Sequence, residues 1–194
     1  MRVVLVAAAL AVSACSILEP RPDYSKFFVL SAVSQGEVEE PVKNVVIGLG
    51  PIKFPDYLDR SQRVVRVGPN QLRFSDTERW AEPLERNFSR VLSQNLSAEL
   101  RTQDIYTFPW FTSVPISHTV AVDVLQFDTD TEGDARLRVR WALKESSSDR
   151  VVASRESTFE EKPDGEGGEA AIAALSEVVG RLSEEIAAAI REAR

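Results

Sequence analysis

Hydrophobic and polar residues alternate along several segments in the second half of the chain. In residues 136–144 the apolar positions are Leu137, Val139, Trp141 and Leu143, and the intervening cationic positions are Arg136, Arg138, Arg140 and Lys144. A period of two is typical of a β-strand with one face in a core and the other in solvent. Residues 151–159 follow a similar pattern. Residues 119–127 alternate as far as Val124 and then change phase, which predicts a β-bulge or a strand buried on both faces.

Strand patterns also occur in the first half of the chain. Residues 26–33 (KFFVLSAV) predict one strand. The continuous apolar run of residues 44–50 (NVVIGLG) predicts a central strand that is buried on both faces. Residues 62–67 and 71–74 flank a Gly-Pro-Asn turn signature, so they predict a β-hairpin.

Prolines interrupt two further segments. Residues 51–60 (PIKFPDYLDR) contain two prolines. Because proline cannot donate a ladder hydrogen bond, this segment predicts a shaped connection outside the interior of a sheet. Residues 104–117 contain two prolines around Trp110-Phe111 and predict an irregular edge.

Two segments place apolar residues three and four positions apart, as an amphipathic helix does. The first stripe consists of Trp80, Leu84, Phe88, Val91, Leu92, Leu96 and Leu100. Its helix is expected to begin near Ala81, because Pro83 is tolerated only in a first turn. The second helix is expected over residues 169–193, with a stripe of Ile172, Leu175, Val179, Leu182, Ile186 and Ile190. Together the elements predict an α+β fold, a mainly antiparallel sheet with two long helices packed on one face.

A short apolar segment opens the chain and ends at its only cysteine. Arg2 precedes uncharged residues 3–12, and the segment closes as Leu10-Ala11-Val12-Ser13-Ala14-Cys15. It is too short for the roughly 20 residues of a membrane-spanning helix, and it predicts a secretory signal peptide over residues 1–14. Its end resembles a lipobox, in which the cysteine is acylated and becomes the mature N-terminus. The alternative is an ordinary signal peptide with a chance cysteine.

Acylation of Cys15 would hold the protein at a membrane, because two acyl chains suffice for stable anchoring. The prolines among residues 15–25 predict an extended tether, followed by a single α+β domain over residues 26–194. Ser16 stands where an inner-membrane retention signal would carry Asp. Resemblance to lipoprotein sorting rules therefore favours the outer membrane.

Charge and length narrow the classes of function. The formal net charge of the 194-residue chain is −7. This charge argues against a nucleic-acid partner and against bulk electrostatic attraction to anionic lipid, so the expected route to lipid is through the acyl chains. The roughly 180 residues left after signal removal suit one domain.

Candidate catalytic and metal-binding residues are few. His118 is the only histidine, and no motif places a nucleophile beside it, so no enzymatic activity is expected. Four acids resemble part of a calcium loop: Asp128, Asp130, Glu132 and Asp134. They lack the twelve-residue, helix-flanked arrangement, so a solvated hairpin turn is expected instead. No glycine-rich phosphate-binding motif is present, and we expect neither metal nor cofactor.

Two surface features are candidates for protein contact. The cationic positions of residues 136–144 have two interpretations, namely ion pairs with acids such as Glu156 and Glu160 on a neighbouring strand or a docking surface. Trp110-Phe111 is interpreted either as core or as an exposed contact for lipid or a partner.

Four motifs in the first half of the chain are distinctive. They are Ile47-Gly48-Leu49-Gly50-Pro51, Phe54-Pro55-Asp56-Tyr57-Leu58-Asp59-Arg60-Ser61-Gln62, Asn70-Gln71-Leu72 and Arg79-Trp80-Ala81-Glu82-Pro83-Leu84. Together they resemble the PqiC-like family of ABC-type transport auxiliary lipoproteins. The lipobox and the terminal amphipathic helix extend the resemblance over nearly the whole mature chain.

The resemblance implies an outer-membrane lipoprotein that faces the periplasm, supports envelope integrity and works with an MCE-domain protein to move phospholipid or another hydrophobic substrate. It implies a non-enzymatic docking subunit. The resemblance also allows self-association of this subunit into a homo-oligomer. The expected contact residues are Phe54, Tyr57, Leu58, Arg60, Trp110, Phe111, Arg136, Arg138 and Arg140. Two alternatives remain, a lipoprotein that binds a small hydrophobic ligand and an assembly factor for an outer-membrane barrel.

Overall fold

The computed structural model describes residues 23–33, 40–43 and 45–193. The expected signal peptide, Cys15 and most of the expected tether lie outside the described residues. The strands are β1 (Lys26–Phe28), β2 (Ile47–Lys53), β3 (Gln62–Gly68), β4 (Gln71–Trp80), β5 (Ile105–Thr107), β6 (His118–Thr129), β7 (Ala135–Glu145) and β8 (Arg150–Glu161). The helices are α1 (Leu84–Leu100) and α2 (Gly167–Glu192).

The eight described strands form one mixed sheet in which the longest pairings are antiparallel. Strands β6, β7 and β8 pair antiparallel over most of their length, and β3 and β4 form the predicted hairpin. The α+β class with a mostly antiparallel sheet is therefore confirmed. Strands β1, β2 and β5 add short parallel pairings, which the sequence did not predict.

Strand β6 is the centre of the sheet. One of its edges pairs with β7 along the whole strand, and the other pairs with β2 near His118 and with β3 at Thr129. The register with β7 shifts between Val124 and Gln126, which confirms the predicted bulge. Strand β2 is buried and paired on both sides, but it lies one strand from an edge and is not central.

Pro51 lies inside strand β2, where the sequence predicted no strand. The register between β2 and β6 shifts between Leu49 and Ile52. Because proline is accommodated at a β-bulge without the loss of a ladder bond, the strand continues through it to Lys53.

Both helices pack on the same face of the sheet and bury their predicted apolar stripes. Helix α1 begins at Leu84, later than expected, and Pro83 is its N-cap residue. Trp80 is the last residue of β4, paired with Phe28 of β1, so its assignment to the helix was wrong. In the described part of the chain no helix is both long and apolar enough to cross a membrane.

Residues 29–33, here called the N-terminal strap, lie between the two helices. Three buried or half-buried backbone N–H groups of the strap donate to helix side chains. Leu30 donates to Asn87 Oδ1 at 2.7 Å, Ser31 to Ser176 Oγ at 3.1 Å and Val33 to Asn95 Oδ1 at 2.9 Å. Since these side chains are at most 3% exposed, the strap is part of the packed structure.

Candidate docking site at the β5 edge

The loop that carries the longest motif is packed into the core on one side. The ring of Phe54 meets those of Phe88 and Phe127 edge to face, with centroids 5.2 and 6.4 Å apart. Leu58 is 3% exposed. The docking role expected for Leu58 is therefore corrected, because its side chain is buried in the core and anchors the loop there.

The remaining loop residues connect the motif of residues 54–62 to the motif of residues 79–84. A short 3-10 helix, Asp56–Leu58, is followed by Arg60, whose Nε donates to the backbone oxygen of Tyr57 at 2.8 Å. The Arg60 guanidinium lies 3.9 Å from the ring centroid of Phe74. The backbone N–H of Trp80 donates to Ser61 O at 2.7 Å, which joins the loop to the Arg79-Trp80 motif.

A buried carboxylate organises the polar residues behind this loop. Asp128 is 2% exposed and accepts hydrogen bonds from Arg66 at 2.7 Å and from Gln126 at 2.8 Å. The hydroxyl of Tyr57 is 3.5 Å away. Burial raises the pKa of Tyr57, and the charge of Asp128 raises it further. The hydrogen bond with Asp128 raises the pKa of Arg66, so this cluster is an ion pair supported by neutral donors.

The other acids of the apparent calcium loop form a turn. The carboxylate of Asp130 accepts the backbone N–H groups of Glu132 at 3.0 Å and Asp134 at 2.9 Å. With Asp128 held by Arg66, no group of three or more metal-ligating side chains occurs among the described residues.

His118 lies beside a serine whose hydroxyl also hydrogen-bonds to the backbone of Val46. His118 Nδ1 is 3.2 Å from Ser117 Oγ. Ser117 Oγ donates to the backbone oxygen of Val46 at 2.9 Å and accepts the Val46 N–H at 2.9 Å. The one hydroxyl proton of Ser117 therefore has two acceptors within reach, Val46 O and His118 Nδ1.

The cationic stripe of β7 is largely ion-paired across strands. Arg136 pairs with Glu160 at 2.7 Å and Arg140 with Glu156 at 2.9 Å, which confirms the cross-strand interpretation for these two residues. Such half-exposed pairs contribute little to stability. Arg138 stands opposite Gln126 and Thr158, and no ion pair involves it in the ranges that the structure describes.

Four aromatic residues lie at and just after strand β5, and three of them are exposed. We call them the aromatic edge: Tyr106, Phe108, Trp110 and Phe111. Phe111 is 83% exposed, Phe108 58% and Tyr106 38%. Trp110-Phe111 was predicted as a contact from the sequence, whereas Tyr106 and Phe108 were missed. A sequence signal for them exists. Tyr106 and Phe108 are two positions apart and alternate with Ile105 and Thr107, as residues on one face of a short edge strand do.

Two glycines of β2 position the aromatic edge. A Cβ atom on Gly48 would lie 2.9–3.0 Å from the ring of Trp110. The ring therefore packs directly on the backbone at Gly48, where a larger residue would clash with it. A Cβ on Gly50, whose φ is +123°, would lie 2.7 Å from the Cβ of Phe108. The rings of Phe108 and Trp110 pack edge to face at 5.5 Å. Trp110 is therefore a half-buried support, and Phe108 and Phe111 project beyond it.

The ring of Trp110 and an apolar depression both lie on the sheet face opposite the helices. Gly48 alternates with the buried residues Ile47 and Leu49, so the ring above it lies on this outer face. The depression has a volume of about 250 Å³, and its lining includes Pro51, Lys53, Ala121, Arg140, Ala142 and Ser154. The outer face thus carries the Trp110 ring and part of the cationic stripe. Phe108 lies at the sheet edge and also lines a groove with Glu85 and Arg86 of α1. The Phe54–Arg60 loop packs against the core.

The family model for ABC-type transport auxiliary lipoprotein components matches residues 28–187. The chain belongs to this family, and the resemblance to PqiC-like lipoproteins is confirmed. A search of curated proteins finds no sequence that matches this chain.

Solved structures of similar fold extend over most of the chain. The crystal structure of an uncharacterized protein has a TM-score of 0.71 at 21% identity and covers 86% of this chain and 98% of its own. A protein from Xanthomonas campestris gives 0.71 at 17% identity with the same coverage. A hypothetical protein from Chlamydia trachomatis gives 0.50 at 12% identity, covering 75% of this chain and 95% of its own. These likenesses show the fold alone.

Proposed function

We propose that this protein is the outer-membrane, periplasm-facing auxiliary subunit of an MCE-type lipid transport system, that it supports envelope integrity, and that it docks its partner through the aromatic edge. The observation that carries the docking proposal is the exposure of Phe108 and Phe111, 58% and 83%, on a rigid support. Exposed aromatic clusters on a folded surface are typical of protein interfaces, where buried aromatic anchors supply most of the affinity.

The arrangement of this edge suits a docking surface. Trp110 is fixed against Gly48, and the backbone N–H of Phe108 donates to Leu49 O at 2.9 Å. A rigid aromatic anchor loses little conformational entropy on binding, so more of its contact energy appears as affinity. The neighbouring groove at α1 carries Glu85, Arg86 and Arg90, which supply a polar rim.

A non-enzymatic role is part of the proposal. Support for it comes from the Ser117 hydroxyl, whose oxygen is held by both the N–H and the C=O of Val46 and so has a structural role. The alternative of a hydrophobic ligand held between sheet and helices has less support, since fully buried Trp141, Phe88 and Phe127 fill that space.

The membrane anchor is a further part of the proposal. Acylated Cys15 would keep the domain of residues 26–194 at one membrane and raise its effective concentration at a membrane-bound partner. Metabolic labelling with a radioactive fatty acid tests this: wild type is expected to be labelled and Cys15→Ser is not. Equal labelling of both proteins would overturn the acylation.

Affinity purification of the acylated chain from membranes tests the docking proposal. The double variant Phe108→Ser/Phe111→Ser is expected to recover at least about tenfold less MCE-domain protein, quantified by mass spectrometry. The matched control is Val151→Ser, which removes another exposed apolar side chain, 53% exposed, from strand β8. Equal recovery with the double variant and the control would overturn docking through the aromatic edge.

Two further variants test whether surface charge contributes to partner binding and whether catalysis contributes to function. Arg138→Glu is expected to weaken recovery less than the aromatic variant does, because rim charges mainly change association rates. His118→Ala is expected to retain partner recovery and envelope function. Loss of envelope function in His118→Ala with folding and partner recovery intact would overturn the non-enzymatic proposal.

A further inference from the structure

A second exposed apolar patch lies at β1, at the point where the described chain begins. Tyr24 is 74% exposed, Phe27 62% and Val29 45%. Along this segment Phe28 packs against the core and Leu30 is 1% exposed, so Phe27 and Val29 point outward by alternation. We call Tyr24, Phe27 and Val29 the β1 patch.

The β1 patch and the aromatic edge are attached to opposite ends of β6. Strand β5 joins the sheet through β2, whose residues Ile47 and Leu49 pair with His118 and Val120 at the start of β6. Strand β1 joins it through β4 and β3, and β3 meets β6 at Thr129. These two attachments lie near the two ends of the 12-residue strand β6. The two patches therefore lie on separate branches of the sheet.

The length of chain before β1 limits what the β1 patch can reach. Tyr24 follows Cys15 by nine positions. At a maximum of about 3.5 Å per residue, this connection spans at most roughly 30 Å. In every orientation of the domain, Tyr24 of the β1 patch therefore lies within roughly 30 Å of the acylated residue.

We infer that the β1 patch contacts the lipid surface of the membrane that holds the anchor, with Tyr24 and Phe27 at the boundary of headgroups and acyl chains. This inference rests on the proposed acylation of Cys15. Aromatic side chains favour this boundary, where an apolar ring and a polar tip are both accommodated. With a net charge of −7 the chain gains no bulk attraction to anionic lipid, so the contact depends on these apolar side chains.

The contact orients the domain. The N-terminal strap ties the β1 patch to both helices through Asn87, Ser176 and Asn95, so the patch and the body turn together. With the β1 patch at the membrane, the aromatic edge lies on the other branch of the sheet, where it is left for a partner in the periplasm.

Site-specific photo-cross-linking of the acylated full chain in intact cells tests the inference. A benzophenone amino acid replaces Phe27, Lys26, Val151 or Phe108 in separate variants, and the adducts are identified by mass spectrometry. Position 27 is expected to give at least fivefold more lipid adduct than position 26. Lys26 is the matched control. It precedes Phe27 by only one residue, so its distance from Cys15 along the chain is almost the same, but its side chain points to the other side of the strand.

The outcomes separate the inference from the proposed function. Equal lipid adducts at positions 26 and 27 would show proximity through the tether alone and overturn the inference. Adducts at position 27 to a second copy of this chain in place of lipid would also overturn it. Position 108 reports on docking only, so absence of an MCE adduct there contradicts the proposed function while leaving the lipid result at position 27 intact.

Discussion

The side-chain oxygen of Asn87 accepts the backbone N–H of Leu30 at 2.7 Å, where the N-terminal strap meets helix α1. The amide nitrogen of Asn87 donates to Glu82, and Glu82 is ion-paired with Arg90 at 2.7 Å. Glu82 therefore holds the amide with its oxygen toward Leu30. This contact gives a physical role to Glu82, the glutamate of the Arg79-Trp80-Ala81-Glu82-Pro83-Leu84 motif. Glu82 helps to connect the N-terminal strap to helix α1.

Replacing Asn87 by Ala is expected to lower the free energy of unfolding by about 1–3 kcal/mol, because the buried N–H of Leu30 loses its acceptor. Gln94→Ala, at an exposed position of the same helix, is the matched control and is expected to change stability by less than about 0.5 kcal/mol. Urea denaturation measures both variants. Similar effects in the two would contradict a structural role for the Asn87 hydrogen bond.

Stability is expected to fall in acid partly through Glu82. Hydrogen bonds from Arg90 and then Asn87 hold the pKa of Glu82 below its usual value of 4.5. A carboxyl whose pKa is lower in the folded state stabilises the fold above the unfolded-state pKa, and this contribution is lost as pH falls through the folded-state pKa. Glu82→Gln is therefore expected to be less stable than wild type near neutral pH, with the difference shrinking below pH 4.5. A difference that is constant with pH would argue against this linkage. The side chain is 29% exposed, so the effect is modest.

Arg66→Met is expected to cost about 3 kcal/mol, because it leaves the Asp128 carboxylate buried without its cation. The double variant Arg66→Met/Asp128→Asn is expected to recover most of that loss, since no buried charge remains. A double-mutant cycle by chemical denaturation measures the coupling. Arg140→Met is the control, and it is expected to cost less than about 1 kcal/mol because its ion pairs are half-exposed. An equal cost at Arg66 and Arg140 would refute the structural role of the buried pair.

Gly48→Ala is expected to destabilise the protein by about 1–3 kcal/mol, because the new methyl group would overlap the ring of Trp110. In a Trp110→Ala background the same substitution is expected to cost much less. Gly68→Ala serves as control, since its nearest neighbour would be a side-chain atom at 3.9 Å. Additive costs of Gly48→Ala and Trp110→Ala would show that the two residues are not coupled as described.

The local pattern of the sequence was enough to predict the long elements and the buried residues on them. The alternation in residues 136–144 is confirmed, for example at Trp141, and so are the helix stripes, for example at Leu182, apart from Trp80, which is buried but belongs to β4. Burial in such elements repeats with the period of the element itself, so neighbours in sequence carry the information. The phase change after Val124 likewise predicted a bulge, because an extra residue reverses the direction of every side chain that follows.

The tertiary structure decided which strands pair and which aromatic residues are covered. The parallel pairings of β1, β2 and β5 join segments that are far apart in sequence, and the continuation of β2 through Pro51 depends on a bulge opposite β6. Trp110 and Phe111 are adjacent and chemically similar, yet one rests on Gly48 and the other is exposed. The sequence determined the fold class, the family and the buried faces. It did not determine these contacts, because the exposure of a side chain depends on which distant backbone lies against it, and that is established only when the chain packs.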